Sequence, residues 1–148
     1  MSAERAFLDT NVLVYVFDHD EPEKAQLAQE LLEQAKSDEL ALSAQVLGEF
    51  YVTVTRKLKR PIDASVAVQA IEWLSQLHVV ALDSALVKAG AEISHSSQIS
   101  YWDGLIVASA VASGCARVLT EDLNDGQVIG GVRIENPFRQ LSHKPARL

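Results

Sequence analysis

Residues 6–15 read Ala-Phe-Leu-Asp-Thr-Asn-Val-Leu-Val-Tyr, a short apolar run that halts on a carboxylate and resumes three residues later. A brief apolar run bounded by polar residues suits a buried strand, here from about Arg5 to Asp9. Four further runs of this kind lie near Leu40 to Leu42, His78 to Leu82, Arg117 to Thr120 and Val132 to Glu135. Between most of them the apolar residues recur every three or four positions, the spacing of a helix with one buried face. Strands separated by helices need crossover connections. The expected fold class is therefore α/β, with a central parallel sheet of about five strands sandwiched between helices in one domain spanning residues 1–148.

The helical stripes can be read residue by residue. After a start signal at Asp20 and Pro22, one face carries Leu27, Ala28, Leu31, Leu32 and Ala35. Ser43 caps the next helix, whose stripe is Val46, Phe50 and Val54, and Pro61 and Asp63 close it and open another with Ala67, Ala70, Ile71 and Leu74. A further helix starts near Asp83. The last, from about Tyr101 to Ser113, is apolar on nearly every side and should be buried, with Gly114 at its C-terminal cap. The tail after about Pro137 is expected to be mobile.

Composition narrows the function. The chain has 148 residues, 48% of them hydrophobic and 22% charged, enough to bury a core and too few long apolar stretches for a membrane protein. One cysteine, Cys115, and four scattered histidines offer no zinc cluster. The N-terminus resembles neither a signal peptide nor a membrane span, so a reducing cytoplasm is the expected compartment. Against 20 acidic residues stand 13 basic ones, a net charge of −7, which disfavours holding nucleic acid by counterion release alone. It leaves open an enzyme that meets phosphate through a metal.

In an open parallel sheet ligands bind beyond the carboxyl ends of the strands. Asp9 and Asp122 fall there, after the runs Ala6-Phe7-Leu8 and Val118-Leu119-Thr120. Glu49 borders the apolar stripe of the Ser43 helix, and Asp103 opens the most apolar helix in the chain. Each has an ordinary explanation when taken alone: a cap or turn for Asp9 and Asp122, a solvated helix position for Glu49, a capping partner of Ser100 for Asp103. Gathered in one pocket they would repel, by roughly 4 kcal/mol for each pair about 4 Å apart at an effective dielectric near 20. They would have to be protonated or neutralised by a cation. An all-oxygen set without a neighbouring lysine or arginine in sequence suits Mg²⁺ or Mn²⁺, and a water acidified by such an ion can attack a phosphate ester.

Four blocks, FLDTNVLVY at 7–15, SAQVLGEF at 43–50, SYWDGLIVASA at 100–110 and VLTEDLNDG at 118–126, resemble the PIN-domain nucleases, especially the VapC-type toxins of bacterial toxin–antitoxin pairs. The resemblance runs from Phe7 to about Phe138. It implies a Mg²⁺- or Mn²⁺-dependent ribonuclease that forms a homodimer and is inhibited by a cognate antitoxin. Asp9, Glu49, Asp103 and Asp122 would be the catalytic, metal-centred acids, with Thr10 and Asn11 supporting Asp9. Many relatives follow the fourth acid with a short Asp-Phe phrase, whereas Leu123-Asn124-Asp125-Gly126 stands here, so either Asp122 or Asp125 could approach the metal. Asp122 is favoured because it lies closer to the strand end, and Asp125-Gly126 reads as a turn. Thr120 can orient a carboxylate or water, or can simply be a β-former.

Arg56, Lys57, Lys59 and Arg60 form the one basic cluster, at the end of the Glu49 helix. A solvated, dipole-stabilised helix end explains them without a ligand, and phosphate binding is the functional reading. Tyr51, Tyr101 and Trp102 are assigned to no substrate. Two other functions compete: a Mg²⁺-dependent phosphohydrolase with Asp9 as aspartyl-phosphate nucleophile, which lacks a second acid at Asn11 and a phosphate-binding lysine, and a non-catalytic binding module whose acids only cap and turn. Metal-activated water does not need a 2′-hydroxyl, so RNA over DNA is an implication of the resemblance.

Overall fold

The computed structural model of the chain describes residues 4–142. Its elements follow in the order β1 (Ala6–Leu8), α1 (Thr10–Tyr15), α2 (Pro22–Gln34), β2 (Leu40–Ser43), α3 (Ala44–Val52), a π-helical turn (Thr53–Lys57), α4 (Ala64–Leu74), β3 (His78–Val80), α5 (Ser84–Ser97), α6 (Tyr101–Ala112), β4 (Arg117–Leu119), β5 (Val128–Ile129), β6 (Val132–Glu135) and α7 (Arg139–Ser142). The strands form one sheet in the order β3-β2-β1-β4-β6-β5. Every neighbouring pair is parallel except β5 with β6. The α/β expectation is borne out. From β1 the chain winds outward through β2 and β3, then returns to lay β4 on the other side of β1, which puts the topological switch point between β1 and β4.

Local chemistry sets the helix starts. Ser43 Oγ accepts from Val46 N at 3.2 Å and Asp83 Oδ1 from Leu86 N at 2.9 Å, each satisfying a free amide of a first turn. Pro22 occupies the first turn of α2, with Glu21 as its N-cap, while Asp20 stands outside the helix and pairs with Arg60. Gly114, at φ 71°, ends α6 in the left-handed conformation that a side chain would oppose. α6 is buried continuously from Gly104 to Ala110, as its lack of a polar face requires.

The sheet has six strands, one more than expected. β5 is the addition, joined to β6 by Gly130-Gly131, both at positive φ, the two-residue turn that matches the twist of an antiparallel hairpin. The Glu49 helix does not run regularly to its basic end. It stops at Val52 and widens into the π turn, where Leu58 N reaches Thr53 O at 3.1 Å and the Thr55 hydroxyl bonds back to Tyr51 O at 2.6 Å. Arg56 and Lys57 lie in that turn, and Lys59 and Arg60 lie beyond it. The packed body extends past Pro137, because Phe138 is fully buried, its ring steeply inclined to that of Tyr15 with centroids 5.0 Å apart; residues 143–148 of the tail lie outside the described residues.

Helices α5 and α6 approach each other closely. A Cβ on Gly104 would stand 2.4 Å from Gly90 O and 2.9 Å from Ser94 N, so only glycine lets the two backbones meet beside Asp103. Replacing Gly104 by Ala must push α6 away. The expected loss is roughly 1–3 kcal/mol or more of stability, measured by denaturant unfolding; a Gly104→Ala variant as stable as the parent would contradict this packing.

Candidate active site

Pairing of β1 with β4 brings Asp9 and Thr120 side by side at the carboxyl edge of the sheet, and Asp9 N continues the ladder to Leu119 O at 3.1 Å. Asp9 is the N-cap of α1, its Oδ1 accepting from Thr10 N at 2.7 Å. Its Oδ2 accepts from the Thr120 hydroxyl at 2.8 Å. Asp9 is 6% exposed and Thr120 is fully buried. The Thr120 oxygen also accepts from Asn11 Nδ2 at 3.0 Å and from Asp122 N at 3.1 Å. With both lone-pair sites filled, its single proton has one destination, the Asp9 carboxylate.

Asn11 is used as completely. Its Nδ2 donates to Thr120 and to Asp122 Oδ2 at 3.0 Å, and its Oδ1 accepts from Glu121 N at 3.3 Å. One amide therefore clips the segment after β4 to the start of α1 and carries Asp122 with it. Thr10 turns toward α3, where its hydroxyl donates to Glu49 Oε2 at 2.9 Å; Gln45, one turn earlier, donates to Glu49 Oε1 at 3.1 Å. Three of the four expected acids, Asp9, Glu49 and Asp122, thus hang on one network built by Thr10, Asn11 and Thr120.

Asp103 stands in the first turn of α6, its backbone N bonded to Ser100 Oγ at 3.1 Å. Its carboxylate makes no reciprocal bond and no other hydrogen bond or ion pair among the described residues, so the capping explanation covers only its backbone. Asp125 is committed elsewhere, to Asn136 N at 2.7 Å and Arg139 at 3.3 Å. Between the two acids that follow β4, Asp122 is the one tied to the network. Of the basic cluster, Arg60 is paired with Asp20 at 3.0 Å, whereas Lys57 lines a cleft of about 590 Å³ together with Thr10, Asn11, Glu49 and Asp122.

Burial pushes the Asp9 carboxyl up to about 6; the Thr120 and Thr10 hydrogen bonds oppose this, and the charges of Asp122 and Glu49 push it further. No lysine or arginine pairs with Asp9, Glu49, Asp103 or Asp122 among the described residues. This is a set of negative oxygens that makes no ion pair with a protein cation. Among the described residues no group of three or more His, Cys, Asp or Glu side chains is placed to hold a metal ion by itself. In kind, carboxylate oxygens such as those of Asp9, Glu49 and Asp122 suit a hard divalent ion that keeps several of its waters and so needs few protein ligands.

A second cluster beside the acids was not legible in the chain. The Tyr15 hydroxyl donates to Glu121 Oε1, and Lys24 Nζ pairs with Glu121 Oε2 at 3.0 Å while lying 4.7 Å over the Tyr15 ring. Burial first, and the Glu121 contact second, push the Tyr15 hydroxyl up to about 12. The three residues brace the segment that carries Asp122. The position of Glu121 next to Asp122 was the available sign; the 97-residue separation from Lys24 hid the rest.

The chain belongs to the PIN-domain family, whose model matches residues 6–125. Solved structures of similar fold include Mycobacterium tuberculosis VapC20, described as a sarcin-ricin loop cleaving toxin, at 20% identity and TM-score 0.62, covering 79% of this chain and 91% of that one. A toxin–antitoxin complex from Klebsiella pneumoniae aligns at 18% identity and TM-score 0.65, covering 89% and 97% of the two chains. VapBC2 from Rickettsia felis, bound to a DNA fragment from its promoter, aligns at 19% identity and TM-score 0.60, covering 88% and 97%. No curated protein sequence matches the chain.

The raised Asp9 value has a thermodynamic consequence. A carboxyl near 6 in the folded state and 3.8 otherwise favours folding while protonated, so its contribution is full below about pH 4 and is lost as pH rises through about 6. Asp9→Asn removes this dependence; any pH-independent cost of mismatching the Thr120 hydroxyl cancels in the comparison. In chelator, the stability of Asp9→Asn relative to the parent should rise by about 2 kcal/mol between pH 4.5 and 7.5. Urea unfolding at the two pH values checks this, and a constant difference would contradict the burial.

Proposed function

We propose that this chain is a Mg²⁺- or Mn²⁺-dependent endoribonuclease, the toxin of a toxin–antitoxin pair, working as a homodimer and restrained by a cognate antitoxin. The observation that carries the reading is the buried Asp9 carboxylate, fixed by a saturated Thr120 hydroxyl at the β1/β4 switch point with Glu49 and Asp122 tied in beside it. Membership of the PIN-domain family supports it, as does the appearance of toxin–antitoxin complexes among chains of the same fold. No helix among the described residues is long and apolar enough to cross a membrane.

In this reading Asp9, Glu49 and Asp122 would hold the ion, with Asp103, outside their hydrogen-bond network, as the fourth acid that the family resemblance adds. When bound, the ion supplies an acidified water for attack on phosphorus and neutralises charge on the phosphoryl oxygens. The chain's own residues do the aiming. Thr10 N and Thr120 Oγ1 each occupy one lone pair of Asp9, so its remaining lone pairs have fixed directions. Asn11 holds Asp122, and Thr10 with Gln45 holds Glu49, which reduces the reorganisation needed when charge develops. Aspartyl-phosphate chemistry is the weaker reading, because Asn11 stands where a second acid would be needed and no lysine pairs with Asp9 among the described residues.

The test is incubation of end-labelled RNA and single-stranded DNA with the protein, with Mn²⁺ or with chelator. RNA cleavage is expected only with the ion. Asp9→Asn and Asp103→Asn should abolish it while remaining folded, and Asn11→Ala or Thr120→Val should reduce it by roughly 10–100-fold. Undiminished cleavage in chelator, or in both acid variants, would refute the site.

A further inference from the structure

Six of the seven glycines have a reason in the fold. Gly90 and Gly104 sit where a side chain would meet the neighbouring helix, and Gly114, Gly126, Gly130 and Gly131 adopt positive φ. Gly48 has neither reason. It lies inside α3, where glycine costs roughly 0.5–1 kcal/mol relative to alanine, and a Cβ there would meet nothing within 4 Å. The protein gains nothing internally from leaving this position bare.

The gap opens onto the acidic cleft. Gly48, Glu49, Val52 and Lys57 form one wall of it, with Thr10 and Asp122 among the residues lining the rest. Lys57 is the last residue of the π turn that continues α3, and turns of this kind recur at functional sites. Arg60, three residues on, is spent on Asp20, while Lys57 has no hydrogen-bond or ion-pair partner among the described residues although acids line the same cleft. A bare stretch of helix backbone, a free cation and carboxylates share one groove of ligand size.

We propose that this wall is a nucleotide subsite for single-stranded RNA, in which the sugar or base of a nucleotide lies against the helix backbone exposed at Gly48 and Lys57 takes the phosphate next to the one that is cut. The proposal rests on the nuclease reading and adds the path of the strand: along α3 toward its π turn. Gly48 is then a specificity position retained against its own helix propensity, and Lys57 is the one member of the basic cluster that acts at the site.

The test separates folding from binding. Gly48→Ala should raise Tm by about 1–4 °C, since it removes a helix-interior glycine without a clash, and Gly48→Leu should leave the fold intact. Binding is read by fluorescence anisotropy of a labelled single-stranded RNA 12-mer in chelator, so no turnover is involved. Gly48→Leu is expected to weaken binding roughly tenfold or more by displacing the strand. Lys57→Gln should weaken it roughly threefold or more and lower the slope of log Kd against log salt by about 0.7, the value for one lost phosphate contact on a single strand. Lys57→Arg should restore both. The subsite is overturned if the parent protein does not bind the RNA, if either Gly48→Leu or Lys57→Gln binds like the parent, or if Gly48→Ala lowers Tm. Loss of binding in both variants without any metal-dependent cleavage by the parent would keep the subsite and refute the nuclease.

Discussion

When β1 pairs with β4, the Asp9 carboxylate is carried out of water to the edge of the sheet, where burial penalises its charge and Glu49 and Asp122 add repulsion. Two fixed donors soften that penalty without removing it. The Thr120 hydroxyl can donate only to Asp9, because its acceptor sites are taken by Asn11 and the Asp122 amide. The result is a carboxylate held in one orientation and left short of positive charge. A solvated cap would need none of this.

The rest of the fold is arranged around that point. Switching strand order at β1/β4 opens the crevice, and the Ser43 cap starts α3 where its second turn brings Glu49 to the Thr10 hydroxyl. The glycine contact between α5 and α6 sets where the start of α6, and so Asp103, can stand. Next to the acids Tyr15, Lys24 and Glu121 brace the segment after β4. Rigid elements hold the acids, and short polar side chains make the final adjustments, the usual way a site keeps its geometry without a ligand to organise it.

Much of this could be read before folding was considered. Strand ends at Asp9 and Thr120 followed from short buried runs, and α6 from an apolar stretch with no polar face. Asp-Thr-Asn could be read as support for Asp9, although the actual division of labour was not visible: Thr10 serves Glu49 with its hydroxyl and Asp9 only with its amide, while Asn11 serves Asp122. Those assignments depend on which side chains the fold brings together, 39 residues apart for Thr10 and Glu49 and 111 for Asn11 and Asp122. β5 was missed because two residues make too short a run to register, although Gly130-Gly131 marked the turn. The π turn was missed because helical periodicity assumes 3.6 residues per turn throughout, and with it the distinction between Lys57 and its three basic neighbours. Gly48 carried no signal of its own until the other glycines had been explained.

The central claim is that the acid network is completed by a doubly charged cation, and calorimetric titration of Mn²⁺ into the folded protein at about pH 6 tests it most directly. In buffers of different ionisation enthalpy, binding should be saturable and should release a fraction of a proton that shrinks as the pH is raised, because Asp9 must give up its proton to the ion. Asp9→Asn should bind more weakly and release less. An absence of saturable binding, or binding that is the same in Asp9→Asn, would show that the carboxylates serve the fold alone.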